Sequence, residues 1–214
     1  MSAICFDLDG TLTDPKEGII GCIRYALERL GAPQPDSDEE LTWCIGPPLL
    51  GSFEQLVGDK APEALALYRE RFGDVGLFEN AVYPGIRNVL EALKGEDRRL
   101  FVATSKPTVY ATRILEHFEL NGFFEHIYGS ELDGTRADKT ELLAWVLSRS
   151  ELDASATVMI GDRRHDVIGA RNNGLDAIGV LYGYGSSEEL SEAGARVLCE
   201  APEDLLAQLA TGPS

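Results

Sequence analysis

Residues 3–6 are apolar without interruption, and together with Leu8 they predict a buried strand over 3–8. The spacing then changes. Ile19, Ile20, Ile23, Leu27 and Leu30 recur at helical intervals, so 16–30 reads as an amphipathic helix. Asp14 and Glu17 stand at capping-box spacing around its start, Pro15 suits the first helical position, and Gly31 suits the position after the end. Shorter helical stretches follow at 37–44, 49–57 and 61–73, and no further strand pattern occurs before about residue 97. From Gly85 the chain alternates. Helices at 85–94, 107–119, 138–149, 164–173, 187–194 and 202–210 are interleaved with short apolar strands at 99–104, 125–129, 156–160, 175–181 and 196–199. This order predicts an α/β fold with a doubly wound parallel sheet, interrupted after its first strand by an all-helical insert. Right-handed crossovers place the carboxyl ends of the central strands on one edge, where open sheets of this kind bind ligands. The final "TGPS" (residues 211–214) reads as a frayed tail.

Composition narrows the partners. The 214 residues are 44% hydrophobic and 26% charged, enough to bury a sizeable core. Nineteen Lys and Arg against 36 Asp and Glu give a net charge of −17, which repels a phosphate backbone and argues against nucleic-acid polymers as partners. No 18-residue apolar stretch exists, and the first residues lack a basic segment followed by an apolar run. A cytoplasmic protein without a membrane partner, monomeric or homodimeric, is expected. The cysteines Cys5, Cys22, Cys44 and Cys199 form no C-x-x-C pair, so reduced, buried thiols are expected rather than a zinc site or disulfides.

Candidate chemistry begins where the first strand ends. Asp7 and Asp9 are two residues apart in "DLDG", and if the extended backbone persists both carboxylates leave the same face. At roughly 4 Å such a pair repels by about 4 kcal/mol at an effective dielectric of 20, and a divalent cation is the natural remedy. A calcium loop of the EF-hand kind is excluded, because its glycine belongs at the sixth position and Gly10 is the fourth. Gly10 and Thr11 instead give a sharp exit whose amides form a candidate nest for phosphate oxygens. Asp162 and Asp166 in "MIGDRRHD" follow another strand end at one-turn helical spacing, where acidic residues also serve as caps. Thr104 and Ser105 in "LFVATSKP" precede Pro107 and the next helix, a second candidate phosphate site with capping as the alternative. Lys139 in "GTRADKTELL" lies at a helix start, where a cation gains nothing from the dipole and a local anion would explain it. Other residues read more plainly: His165 as a surface histidine, Lys106 as a solvated lysine more than a substrate contact, and "GYGSS" (183–187) as a turn. Lys16 and Arg24 carry a similar ambiguity between substrate contact and solvated helix charge, with the second favoured for Arg24, and "IGPPL" (45–49) between an active-site segment and a helix breaker.

"DLDGTLTD" (7–14), "VATS" (102–105), Lys139 and "GDRRHD" (161–166), in this order across nearly the whole chain, resemble the motifs of the haloacid dehalogenase superfamily of aspartate-dependent phosphohydrolases. The stretch "DVIGARNNGLDAIGVLYGYGS" is further similar to the branch containing phosphoglycolate phosphatases and proteins called 5′-nucleotidases. The resemblance implies a Rossmann-like core from 1–14 and 82–214, with 15–81 as a helical cap. It gives Asp7 the role of nucleophile and Asp9 that of general acid and base; an acid at the second position separates phosphate-ester hydrolases from dehalogenating members. Mg2+ would be held by Asp7, the main-chain carbonyl of Asp9 and Asp162, with Asp166 ordering a water at the metal or the lysine. Lys139 would offset phosphate charge, while Thr104 and the Ser105 amide fix the phosphoryl oxygens. The implied substrate is a small phosphorylated metabolite such as phosphoglycolate or a nucleoside 5′-monophosphate. A phosphomutase or phosphotransferase is the nearest rival. A non-catalytic phosphate- or metal-binding regulator is a rival of another class, which would have no need of Asp9.

Overall fold

A computed structural model describes residues 3–96 and 98–210; the predicted tail at 211–214 lies outside them. The chain folds as two compact units, one taking in the chain up to Asp14 and from Val82 onward, the other Pro15–Ala81. Two short strands, β2 (Thr13–Asp14) and β3 (Ala81–Val82), lie where the chain leaves and re-enters the first unit. Two residues are too few for a hydrophobic period to register, so the sequence pattern misses both.

In the first unit β1 (Ala3–Phe6) pairs in parallel with β4 (Arg99–Pro107) on one side and β6 (Thr157–Gly161) on the other. With β5 (His126–Ser130), β7 (Asp176–Val180) and β8 (Val197–Cys199) they form one sheet of order β5-β4-β1-β6-β7-β8, parallel throughout. The intervening helices are α4 (Ile86–Gly95), α5 (Thr108–His117), α6 (Lys139–Arg149), α7 (Arg164–Asn172), α8 (Ser187–Ala193) and α9 (Asp204–Ala210). The predicted α/β class and doubly wound sheet are therefore present. The strand order reverses at β1, the kind of switch point at which such sheets hold ligands.

Side-chain alternation decides what each face meets. Ala3 and Cys5 of β1, Phe101 and Ala103 of β4, Met159 of β6 and Ala177 of β7 share a buried cluster with Leu142, Leu143 and Val146 of α6 and Val167 and Ala170 of α7. Each large aliphatic side chain buried there contributes about 1.5–3 kcal/mol. Residue 7 continues the odd-numbered series, so Asp7 leaves β1 toward the two helices that begin with Lys139 and Arg164.

Several boundaries differ from the sequence pattern. β1 stops at Phe6 rather than Leu8, because the Leu8 carbonyl accepts from the amides of Thr11, Leu12 and Thr13 and turns the chain. β4 runs on to Pro107, so Thr104 and Ser105 lie on a strand extension and not at the helix start. Asp14 does not cap the helix that follows it: α1 (Lys16–Arg29) starts from Pro15 with no side-chain cap, and the Asp14 carboxylate instead accepts from the Tyr184 hydroxyl. Gly31, with φ of 62°, takes the left-handed position after that helix as predicted.

The regular elements of the second unit before its last residue are all helical, joined by irregular stretches. Besides α1 it contains a 3-10 turn at Glu39–Cys44 in place of a helix over 37–44, then α2 (Leu49–Val57) and α3 (Ala61–Arg71), which passes into a π-type turn at Phe72–Gly76. Phe53, Tyr68 and Phe72 pack as an aromatic core, and Arg71 forms a bidentate pair with Glu79 at 2.7 and 2.8 Å. Lys16 and Arg24 are taken up by Glu39 and Asp38 of the same unit, so each has an intra-unit partner. All four cysteines are buried thiols outside any disulfide, and no described helix is long and apolar enough to cross a membrane.

Candidate active site

The Asp7 amide donates to the Ile160 carbonyl at 2.9 Å, carrying the β1–β6 pairing one residue past the strand. Its carboxylate Oδ1 accepts from the Leu8 amide at 2.7 Å and faces the Lys139 ammonium at 3.2 Å. Lys139 stands at the first position of α6 because Asp138, the N-cap, accepts from the Thr140 and Glu141 amides. The same ammonium reaches Asp166 Oδ1 at 2.7 Å and donates to the Ala103 carbonyl at 2.9 Å. Asp166 Oδ2 in turn accepts from the Arg163 amide, closing the first turn of α7.

Asp162 completes the group. Its Oδ1 accepts from the Thr11 hydroxyl at 3.3 Å and its Oδ2 from the Tyr184 amide at 2.9 Å. Two glycines allow this approach: a Cβ on Gly10, whose φ is 79°, or on Gly183 would collide with the Asp162 side chain. Asp7, Asp162 and Asp166 are all buried, and each offers a carboxylate oxygen within 4.8 Å of the others'.

The Lys139 ammonium faces Asp7 and Asp166, and with all three carboxyls ionised the group would carry two negative charges in excess of it. Burial raises the Asp162 carboxyl well above the usual range, and Asp166 and Asp7 push it further. Asp166 is raised by burial, with Lys139 opposing and Asp7 adding to the rise. Burial alone would lower the Lys139 ammonium, but Asp166 and Asp7 outweigh it and hold it above the usual lysine range. An all-oxygen donor set with an excess of two negative charges fits a hard divalent cation such as magnesium. A measurable consequence is that in EDTA at pH 8, Asp162→Asn should be more stable than the unsubstituted protein by roughly 1–3 kcal/mol, since it removes one of the mutually repelling carboxylates. The advantage should fade toward pH 4, where the folded protein already holds the Asp162 proton, and should reverse in saturating magnesium; urea unfolding at the two pH values checks both.

The Asp9 carboxylate lies outside this three-carboxylate group and pairs through Oδ2 with the Lys106 ammonium at 2.8 Å. Burial raises the Asp9 carboxyl above its usual range, with Lys106 opposing the rise. Thr104 is buried, its hydroxyl accepting from the Lys106 amide at 3.2 Å, and it lies between Ala103, which receives Lys139, and the lysine that holds Asp9. Ser105 is half-buried and is anchored by its carbonyl, which accepts from the Ser130 hydroxyl.

The expected phosphate nest at Gly10 is not present. The Gly10 amide donates to the Thr13 carbonyl and the Thr11 amide to the Leu8 carbonyl, so both are spent on closing the turn. Gly10 serves by lacking a side chain beside Asp162. Two contributors escape the sequence reading. Lys106, read as a solvated lysine, is buried against Asp9; its period-two spacing from Thr104 on an extended strand is the signal that finds it. The segment "GYGSS", read as a plain turn, supplies the amide that holds Asp162. His165 is half-buried, and burial followed by Arg164 and Arg163 keeps its imidazole below the usual range.

The family model described as haloacid dehalogenase-like hydrolase matches residues 4–180. A protein named 5′-nucleotidase from Pseudomonas aeruginosa is 53% identical over 190 residues, covering 87% of this chain and 86% of that one. The protein named tyrosine-protein kinase PtkA from Mycobacterium tuberculosis is 39% identical over 199 residues, 92% of this chain and 68% of the other. Among solved structures, one described as a predicted phosphatase from Clostridium acetobutylicum superposes with a TM-score of 0.94 at 41% identity, each chain covered to 98%. With its parallel sheet and its buried aspartates gathered at strand ends, the chain belongs to the haloacid dehalogenase-like hydrolases and stands within their phosphatase group.

Proposed function

We propose that the chain is a magnesium-dependent phosphomonoesterase for small phosphorylated metabolites, acting through an aspartyl-phosphate on Asp7. One observation carries this reading: a buried carboxylate at the end of the central strand, held by a lysine inside a cluster two negative charges in excess. Asp7, Asp162 and Asp166, with the Asp9 main-chain carbonyl, would hold the cation. When bound, it supplies the positive charge that lets a carboxylate approach a phosphate dianion.

The remaining chemistry belongs to the chain's own groups. The Asp7 carboxylate attacks phosphorus, the ester P–O bond breaks, and the proton on Asp9 passes to the departing alkoxide. Asp9 then takes a proton from water as the water oxygen attacks the phosphorus, which frees Asp7 and inorganic phosphate. Lys139 faces Asp7 throughout and offsets charge on the phosphoryl group, while Thr104 and the Ser105 amide orient its oxygens.

Nucleoside 5′-monophosphates lead the substrate panel, on similarity to the Pseudomonas protein named 5′-nucleotidase, with phosphoglycolate beside them. Purified protein should release inorganic phosphate from at least one of these in magnesium, and EDTA should lower the rate by about 100-fold or more. Unchanged turnover in EDTA would refute the metal requirement. Likeness to the protein named tyrosine-protein kinase PtkA favours a second reading, in which a hydroxyl other than water accepts the phosphoryl group. Product analysis separates the two: hydrolysis yields inorganic phosphate equal to the alcohol released, whereas transfer leaves a phosphorylated acceptor and a phosphate deficit.

A further inference from the structure

Lys106 and Asp9 form a buried ion pair, the two side chains being 6% and 10% exposed. Only one carboxylate oxygen is engaged. Lys106 Nζ lies 2.8 Å from Asp9 Oδ2, while Oδ1 is buried with no hydrogen-bond partner. Native proteins rarely leave a buried acceptor in this state without a functional reason. A lysine serving only to neutralise Asp9 would not explain why one edge of the carboxyl is fixed and the other kept bare.

The lysine is itself held from a rigid base. Its amide donates to the Thr104 hydroxyl, and the preceding carbonyl, that of Ser105, accepts from the Ser130 hydroxyl at 2.8 Å. Gly129 of β5 lies so close to the Lys106 carbonyl that a Cβ there would collide with it. The register between β4 and β5 shifts between Ala103 and Pro107, which detaches this stretch from regular pairing and lets it carry Thr104 and Lys106.

We propose that Lys106 is a positioning residue for the reaction: it holds Asp9 through Oδ2 so that the bare Oδ1 faces first the leaving oxygen and then the attacking water. The proposal rests on the reading of Asp9 as the acid and base. Because Lys106 acts through Asp9, its value should vanish once Asp9 can no longer transfer a proton. Displacing a reacting group by about an ångström costs on the order of 100-fold in rate, which sets the scale of the expected effect.

The test is a double-substitution cycle on the preferred phosphate ester in saturating magnesium, with kcat and KM measured separately. Lys106→Met should lower kcat by about 10- to 100-fold and leave KM within about threefold, and Asp9→Asn should lower kcat by about 100-fold or more. The double variant should be no slower than Asp9→Asn alone, and Lys106→Arg should recover most of the loss. Losses that multiply in the double variant would overturn the proposal, since Lys106 would then act independently of Asp9. A raised KM with unchanged kcat, or wild-type kcat in Lys106→Met, would overturn it as well. Wild-type turnover in Asp9→Asn would remove the acid and base reading itself, an outcome visible in that single variant. Lys106→Gln, which retains a donor for Oδ2, carries the same comparison in a folded protein should methionine at this buried position unfold it.

Discussion

Asp7→Asn should reduce phosphate-ester turnover by about 1,000-fold or more while leaving the protein folded. The amide keeps the size of the carboxyl and one oxygen able to accept from the Leu8 amide, so the end of β1 is preserved. What it loses is the negative oxygen that bonds to phosphorus. The substitution also removes one of three buried negative charges, so stability in EDTA should rise or hold. That combination separates a lost nucleophile from a lost fold. Trapping the phosphoryl group checks the same claim: acid-quenched wild-type protein should retain label from a radiolabelled phosphate ester, and the Asp7→Asn variant should not. Turnover near the wild-type value in a sample verified to carry Asp7→Asn would remove Asp7 from the chemistry.

The sequence carries these assignments unevenly, and the reason is physical. The sheet follows from apolar runs four to six residues long alternating with helical periods, because both signals are local and repeat many times. The meeting of Asp7, Asp162 and Asp166 follows from topology, since parallel strands with crossover helices must bring their carboxyl ends to one edge. The direction of individual side chains is less legible. The first strand is two residues shorter than its apolar pattern suggests: the Leu8 carbonyl, with three amides converging on it, ends it, and the Asp9 carboxylate beyond is met by Lys106. Thr104 and Ser105 are legible as polar residues at a strand end, but the continuation of β4 to Pro107, which moves them off the helix start, depends on β5 beside it. Asp14 has every mark of a cap in sequence, and only the distant Tyr184 hydroxyl decides otherwise. The amide of that same tyrosine holds Asp162, a contact across 22 residues of chain that no local pattern encodes.

Lys139→Met should cost about 3–5 kcal/mol of stability at pH 8 in EDTA and abolish measurable turnover. Methionine matches the lysine stem in length, so the expected loss is one of charge more than of packing. The ammonium at Lys139 is the cation that faces Asp7 and Asp166, at 3.2 and 2.7 Å, and it also satisfies the Ala103 carbonyl. Without it the two carboxylates stay buried beside Asp162 with no counter-charge. The pH dependence has a defined sign. Lys139 opposes the burial that raises Asp166, so its removal lifts the folded-state value of that carboxyl further above the unfolded value of about 4. A carboxyl raised in the folded state loses stability as pH climbs through the window between those two values, so the deficit should be small near pH 4 and full by pH 8. Urea unfolding at both ends of that range measures it. Adding Asp166→Asn to the Lys139→Met protein removes the carboxylate left without its nearest cation and should restore more than half of the lost stability, with no return of turnover. A deficit of the same size at pH 4 and pH 8, or a double variant less stable than Lys139→Met alone, would mean that packing rather than charge governs the site, and the argument for a cation-seeking cluster would fail with it.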